Sequence, residues 1–165
     1  MTLALTEVFE AAEEPVRFRK ALGRFATGVA VVTALTPSGP VGVTINSFAS
    51  VSLSPPLILW SPARASSRHD AFVSAARFAV HVLAGGQKPL CDHFIRAGAG
   101  FENLAHSLSD SGVPLLHGCA AIFDCTREAV HEAGDHSIII GRVLEVHTGE
   151  SSALVFRNGQ FERAG

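Results

Sequence analysis

Residues 43–61 of this 165-residue chain constrain its fold more than any other segment. The segment begins as a β-branched apolar run and passes through small hydroxyl and amide residues between Asn46 and Ser54. It then meets Pro55-Pro56 and resumes as an apolar run that ends at Trp60. The pattern predicts two strands joined by backbone that lies against a flat ligand, with main-chain groups and short side chains contacting the ligand's polar rim.

Length and composition exclude several classes of protein. The chain has the size of one domain, long enough to bury roughly 70% of its unfolded surface. It contains no apolar run of the ~20 residues that a membrane helix needs, and residues 1–14 carry four glutamates and no basic start. A net charge of -2 without a basic block argues against nucleic-acid binding. We therefore expect a cytoplasmic protein that binds neither membrane nor nucleic acid.

The cysteines and histidines give no metal signal. Cys91, Cys119 and Cys125 are odd in number and lack a C-x-x-C spacing, so they are interpreted as buried free thiols. His131 and His136 could be combined with neighbouring carboxylates, but their spacing fits no recognised zinc pattern. We expect no metal.

The predicted elements are mostly strands joined by turns. We expect a lead-in over residues 1–14 and a single domain over 15–165. Helical segments are predicted to begin at Pro15, near Ser67 with Asp70 as its capping partner, at Gln87 and at Phe101. Predicted strands cover residues 29–35, 41–46, 57–61, 78–83, 120–131, 137–147 and a hairpin around Asn158-Gly159. Such a pattern favours an antiparallel barrel over a doubly wound sheet.

The sequence lacks glycine-rich nucleotide-binding motifs, but it contains a candidate anion-binding segment. Neither a G-x-G-x-x-G between strand and helix nor a Walker-type loop occurs. Residues 61–68 instead offer serine hydroxyls and amides at a predicted helix start, and Arg64 or Arg68 could add charge-assisted bonds. The alternative is a simple N-cap with solvent-facing arginines. The position directly after the flat-ligand segment favours phosphate binding.

His136 stands at a predicted turn that leads into a strand. A lone histidine there is typical of a structural or solvent-exposed residue, and the alternative is a neutral ring beside the ligand. Neither a Ser/His/Asp order nor a G-x-S-x-G elbow occurs in the sequence, so hydrolase chemistry has no support.

In their order along the chain, several motifs resemble those of the flavin reductase-like family, the reductase components of two-component flavin monooxygenases. The resemblance runs from about Phe18 to Phe161. It is carried by residues 24–33, 42–60, 78–84 with Gln87, 114–118, 134–136 and 140–143. The sequence departs from the family pattern at Gly85-Gly86 and at His81, where asparagine is common.

The resemblance implies a mainly β fold, the FMN-binding split barrel: a six-stranded antiparallel Greek-key barrel with a few short peripheral helices. It implies a homodimer with flavin near the subunit interface. The implied activity is reduction of free FMN or FAD by NADH or NADPH, which supplies reduced flavin to a partner monooxygenase. The alternatives are a non-catalytic flavin- or haem-binding split barrel and an enzyme of the pyridoxamine-phosphate-oxidase type.

The same resemblance implies roles for individual residues. His136 faces the nicotinamide, and His93, followed by Phe94, meets the phosphate. The remaining flavin contacts are implied for Thr44, Asn46 and Ser47 on the ring system and for Ser61, Ala63, Ser66 and Ser67 on the ribityl phosphate side. Hydride transfer needs the two rings stacked about 3–3.5 Å apart and no strong general base.

Overall fold

The computed structural model describes residues 7–164 of the chain. The helices are α1 (Pro15–Leu22), α2 (His69–Ser74), α3 (Lys88–Arg96) and a 3-10 helix (Phe101–Asn103). The strands of the first half are β1 (Thr27–Gly28), β2 (Ala30–Thr36), β3 (Gly39–Ile45), β4 (Ala49–Leu53), β5 (Pro56–Trp60) and β6 (Arg77–Val82). Those of the second half are β7 (His106–Leu108), β8 (Pro114–Leu116), β9 (Ala121–Ala133), β10 (His136–Thr148), β11 (Leu154–Arg157) and β12 (Gln160–Arg163).

Seven strands form one antiparallel sheet in the order β3-β2-β6-β9-β10-β5-β4. The remaining strands given above form a three-stranded sheet, β1-β11-β12, and the pair β7-β8. Isolated bridges also pair Ala63 with His136 and Ala84 with Ala153. The predicted mainly β, antiparallel architecture is confirmed. The main sheet has seven strands where six were expected, and its outer strands β3 and β4 are not hydrogen-bonded to each other, so the barrel is not closed.

The gap between the two outer strands is narrow, because only residues 46–48 connect them. Three connecting residues span at most about 14 Å from the end of β3 to the start of β4. The sheet curls so that apolar side chains from both of its ends meet in one core cluster. This cluster contains Ala30, Val32, Ala34, Ile45, Ile58, Trp60, Phe72, Phe78, Val80, Cys125 and Ile139. Phe48, in the connection itself, packs on Phe123 with ring centroids 5.4 Å apart.

The other face of the sheet carries a second core cluster. Alternate residues of β2 point to opposite faces, so Val31 is buried on this side while Val32 is buried in the first cluster. Burial on both faces explains why Ala30–Ala34 of β2 are all buried and mostly apolar. The polar residue among them, Thr33, donates its hydroxyl to the Pro114 carbonyl at 2.6 Å. α3 covers this face with Cys91 and Phe94, and Leu116 of β8 packs beside them.

The helices differ most from the predictions. α1 begins at Pro15 as predicted, but it buries no residue, and Phe18, Leu22 and Phe25 are 44%, 59% and 78% exposed. These apolar side chains of α1 and the turn after it are therefore largely open to solvent in the single chain. α2 has only six residues and begins at His69, and no side chain caps it. The predicted capping pair at residues 67 and 70 does not form, because Arg68 occupies the N-cap position and Ser67 lies one residue before it.

The tight turns follow the sequence closely. Asn158 and Gly159 adopt φ of 50° and 79° between β11 and β12, as an Asn-Gly hairpin requires. All three cysteines are free and buried, which confirms their interpretation as core thiols. Burial raises the pKa of Cys119 to about 11 and that of Cys125 to about 12, so both stay protonated and unreactive at neutral pH. Among residues 7–164, no helix is long and apolar enough to cross a membrane.

Candidate functional site

A cavity of about 220 Å³ lies at the gap of the barrel, between the end of β3, the segment after β5 and the start of β10. Its wall contains Val43, Thr44, Ile45, Asn46, Ser47, Ser61, Pro62, Ala63, Ser66, Arg68, His69, Phe72 and His136. A second cavity of about 230 Å³ adjoins it across Thr44, Ile45 and Asn46 and is otherwise lined by Val29, Ile95, Phe156 and Phe161. Eight residues predicted from the sequence, which belong to three segments far apart along the chain, thus share one wall.

The outer edge of β3 supplies main-chain groups to this site. The N–H of Gly42 donates to the carbonyl of Gly98 at 2.8 Å, and its carbonyl accepts from Arg68 at 3.0 Å. The backbone groups of Gly42 therefore point away from β2. Because an antiparallel strand repeats every two residues, those of Thr44 point the same way. An edge strand with outward amides is a ready-made partner for the polar rim of a flat ligand.

Short side chains tie the edge to its neighbours. The Thr44 hydroxyl donates to the Cys91 carbonyl at 2.8 Å, which joins β3 to α3. The N–H of Ser61 donates to Ser47 Oγ at 2.9 Å, which joins the 46–48 connection to the end of β5. Asn46 is exposed beside them. The small polar residues of the sequence pattern thus hold the two sides of the gap at a fixed separation.

The predicted phosphate segment contributes hydroxyls, and its arginines have other partners. Ser66 lines the cavity and its Oγ accepts from the N–H of Arg68 at 3.2 Å. The Arg68 guanidinium donates to the carbonyls of Phe94 and Ile95 at 2.7 and 3.3 Å, so it caps the end of α3. Arg64 lies 3.4 Å from Glu132, outside the cavity. Arg68 lines the cavity while its guanidinium donates to α3, so a phosphate contact from this arginine stays a prediction.

His136 presents its ring to the cavity from the start of β10. Nδ1 lies 2.7 Å from Asp135 Oδ1, and because a carboxylate only accepts hydrogen bonds, Nδ1 carries the proton. Nε2 of the neutral ring then bears a lone pair. The hydrogen bond from His136 lowers the pKa of Asp135, which keeps that carboxylate ionised.

Three predicted contacts do not line either cavity. Ser67 is exposed, and His93 binds the Ala99 carbonyl through Nε2 at 2.7 Å on the far side of α3. Phe94 is fully buried against Gly42, where any Cβ would collide with the phenyl ring. A side chain packed beneath β3 has no surface left for a ligand. The prediction of a direct flavin contact from the Phe94 side chain is corrected on this ground. The phosphate contact of His93, which is part-buried and lies outside both cavities, stays a prediction.

Sequence reasoning missed His69, the second histidine of the cavity wall. Its Nε2 lies 2.9 Å from Ser137 Oγ and its Nδ1 lies 2.8 Å from Asp70 Oδ1. Nothing near His69 in the sequence points to Ser137, which follows 68 residues later. Only the pairing of β10 with β5 brings the two together.

A larger cavity, about 700 Å³, lies elsewhere, between α1 and the β11–β12 turn. It contains none of the predicted site residues and is lined in part by Arg19, Lys20 and Arg24. Arg17, in the same wall, forms ion pairs with Glu7 and Glu14. Because α1 buries no residue, this space lies beside a peripheral helix, away from the predicted site residues.

Known proteins share this fold and sequence. Residues 22–165 match the flavin reductase like domain, and the chain belongs to that family. It is 54% identical over 146 residues to FMN reductase (NADH) SmoA of Agrobacterium fabrum, covering 88% of this chain and 84% of that protein. It is 40% identical to a flavin reductase of Pseudomonas putida over 98% of this chain and 96% of that one.

Relatives with named activities also resemble this chain. A flavin-dependent monooxygenase reductase subunit, HsaB of Rhodococcus jostii, is 39% identical over 90% of this chain and 77% of its own. The solved structure of the Streptomyces globisporus NADH:FAD oxidoreductase SgcE6, in complex with NAD and FAD fragments, has a TM-score of 0.90. It is 35% identical, with 97% of this chain and 98% of that chain covered.

Proposed function

We propose that this protein is an NADH:flavin oxidoreductase that reduces FMN or FAD and supplies the reduced flavin to a monooxygenase. The observation that best supports this proposal is the cavity at the gap of the barrel, in a chain that belongs to the flavin reductase-like family. Its relatives include an FMN reductase that uses NADH and the reductase subunit of a monooxygenase.

The residues present fit a flavin. The two adjoining cavities, about 220 and 230 Å³, together reach the size of small-molecule sites, roughly 300–1,000 Å³. Their walls combine apolar side chains such as Ile45 and Phe156 with the outward backbone of β3. A flat, largely apolar ring system with a polar rim requires this combination.

Each group of residues has a distinct role in the proposal. The backbone of Thr44 and Asn46, with Ser47, would hold the ring system of the flavin. Ser61, Ala63 and Ser66 would hold its ribityl phosphate side, through hydroxyl and main-chain groups. His136 would pack against the nicotinamide of NADH.

Flavin, when bound, supplies the acceptor for the hydride that NADH donates. The protein's contribution is then to orient the two rings and to exclude water, and it needs no strong base. This agrees with the site, because the titratable side chains that line the cavity, other than Arg68, are His69 and His136.

A steady-state assay tests the proposal. NADH and NADPH are each combined with riboflavin, FMN and FAD, and loss of absorbance at 340 nm is followed. We expect turnover with NADH and at least one flavin. Flavin fluorescence quenching without NADH oxidation would instead indicate a non-catalytic binding protein, and oxygen consumption with an amine would indicate an oxidase. Flavin that remains stoichiometric after dialysis would show a prosthetic group rather than a released substrate.

The proposal includes a homodimer. α1 buries none of its own residues, and in β4 Val51 and Leu53 are 46% and 95% exposed. A second copy that covers these surfaces would remove them from water, at roughly 25 cal/mol per Å² of apolar area. Light scattering on the purified chain measures the mass, and Leu53→Asp should shift a dimer toward monomer if β4 lies in the interface. A cytoplasmic location and a lead-in over residues 1–14 stay predictions; residues 1–6 lie outside the described part of the chain.

A further inference from the structure

His69 connects the wall of the cavity to the strand that carries His136. The ring is largely enclosed, with 13% of its side chain exposed, and both nitrogens have partners. Nδ1 faces Asp70 on α2, and Nε2 faces Ser137 on β10. Because both of its ring nitrogens are hydrogen-bonded, the His69 side chain is held in one orientation and links α2 to β10.

The chemistry of the partners assigns the protons. The Asp70 carboxylate can only accept, so Nδ1–H donates to it. In the neutral ring Nε2 then accepts, and the Ser137 hydroxyl donates to it. If the ring becomes protonated, Nε2–H donates and the Ser137 oxygen accepts, so the connection survives either state.

The series carboxylate, imidazole and hydroxyl has the order of a hydrolase triad, but it cannot act as one. Ser137 is only 4% exposed, and it does not line the cavity. No acyl group can reach its oxygen. The Asp70 side chain is 98% exposed, whereas a triad carboxylate is buried. The arrangement therefore fixes positions and supplies no nucleophile.

The position that it fixes is that of His136. The N–H of Ser137 donates to the Pro62 carbonyl at 3.0 Å, and the N–H of Arg64 donates to the Asp135 carbonyl at 2.8 Å. These two bonds flank His136 and join the start of β10 to the segment after β5. The side-chain hydrogen bond between His69 and Ser137 is a third link, which joins α2 to the buried side of β10.

We propose that His69 is a positioning residue: through Ser137 it holds the start of β10 so that His136 faces the cavity. This inference rests on the proposed function, because it assumes that His136 packs against nicotinamide. It assigns to His69 an effect on NADH and no direct contact with flavin.

The experiment compares His69→Leu, Ser137→Ala, the double variant and His69→Gln, whose side-chain amide can still bond Ser137. Loss of one such hydrogen bond should raise KM for NADH about fivefold to tenfold. kcat and the flavin Kd, measured by fluorescence, should change less than twofold. The double variant should be no worse than His69→Leu alone, since both remove the same bond. His69→Gln should restore KM to within about twofold of the parent protein.

Ser137→Ala decides between positioning and contact. Because Ser137 is buried outside the cavity, a direct contact of His69 with either substrate predicts that Ser137→Ala leaves KM unchanged, and that result would overturn the inference. It is also a small change, so it tests the connection even if His69→Leu fails to fold. Thermal unfolding is recorded for each variant, and a raised flavin Kd in proportion to lost stability would also overturn the inference.

The variant His136→Ala distinguishes failure of the role of His136 in the proposed function from failure of the positioning role of His69. If it leaves KM for NADH unchanged, the role of His136 in the proposed function fails. If it raises KM while Ser137→Ala and His69→Leu do not, the proposed function stands and the role of His69 fails.

Discussion

Two regions near the cavity were both predicted to bind the flavin phosphate. They differ in whether their side chains reach the cavity. The segment over residues 61–66 runs along the cavity, and Ser61, Ala63 and Ser66 line it. The pair His93 and Phe94 lies on α3, which is packed against β3 behind that wall. Residues of the first region therefore line the cavity, whereas α3 packs behind the cavity wall and stabilises it. The resemblance to the family therefore identifies residues in and around the site, but it does not tell which of them contact the ligand and which only pack behind the wall.

The strongest test of this contrast removes the support. Phe94→Ala should lower the free energy of unfolding by about 3–5 kcal/mol, because it empties a fully buried space under Gly42. His93→Ala, one residue earlier, should cost less than about 1 kcal/mol, since its exposed bond to Ala99 is local. Urea denaturation measures both. Equal and small losses would mean that the α3 side is not the packed support described here.

The supporting face also predicts a dependence of stability on pH. Burial lowers the pKa of His81 to about 4, since no water can solvate its charge. The unfolded chain takes up this proton near pH 6.5, before the folded chain does. Stability is therefore full above pH 6.5 and falls by up to roughly 3 kcal/mol as pH drops to 4.

His81→Asn is the matched control for that dependence. Asparagine keeps a donor for the Val31 carbonyl, which lies 3.0 Å from Nδ1, but does not titrate. Unfolding in urea at pH 7, 6, 5 and 4 should show a flatter profile in the variant. A parent and variant with parallel profiles would assign the acid sensitivity to other groups.

Arg68 connects the two regions, and its substitution should affect stability more than phosphate binding. Arg68→Met removes the guanidinium bonds to Gly42 and Phe94, at a cost of about 1.5–3 kcal/mol. Arg64→Met, on the exposed side of the same segment, should be neutral within about 0.5 kcal/mol. Titrating each variant with riboflavin and FMN separates the alternatives. A loss specific to FMN in Arg68→Met would support a phosphate contact from this arginine.

The smallest expected effect distinguishes two adjacent serines. Ser66→Ala should weaken FMN binding about tenfold, because a hydrogen bond to a charged phosphate contributes about 1.5 kcal/mol or more. Ser67→Ala should leave FMN binding unchanged, since Ser67 is exposed and lines neither cavity. Fluorescence titration with FMN measures both, and riboflavin, which has no phosphate, is the control ligand. Equal losses in the two variants would show that the segment rearranges on binding.

Local patterns in the sequence were sufficient for most of the elements. The Asn158-Gly159 turn, the helix start at Pro15 and the break at Pro55-Pro56 depend on backbone preferences of single residues, and all three occur as predicted. The helix predicted near Ser67 failed at its start, because a serine–aspartate spacing is also met in bends without a cap. Helix capping depends on a side-chain geometry that spacing alone does not determine.

The sequence alone determined that short polar residues follow β3 and that a histidine opens β10, because these are facts of chain order and residue type. Only the tertiary structure decided which groups meet: the pairing of β10 with β5 places Ser137 beside His69, and the packing of α3 turns Phe94 inward. Contacts between residues tens of positions apart depend on how the sheet curls and closes. That is set by the packing of both core clusters together and leaves no mark at any one position of the chain.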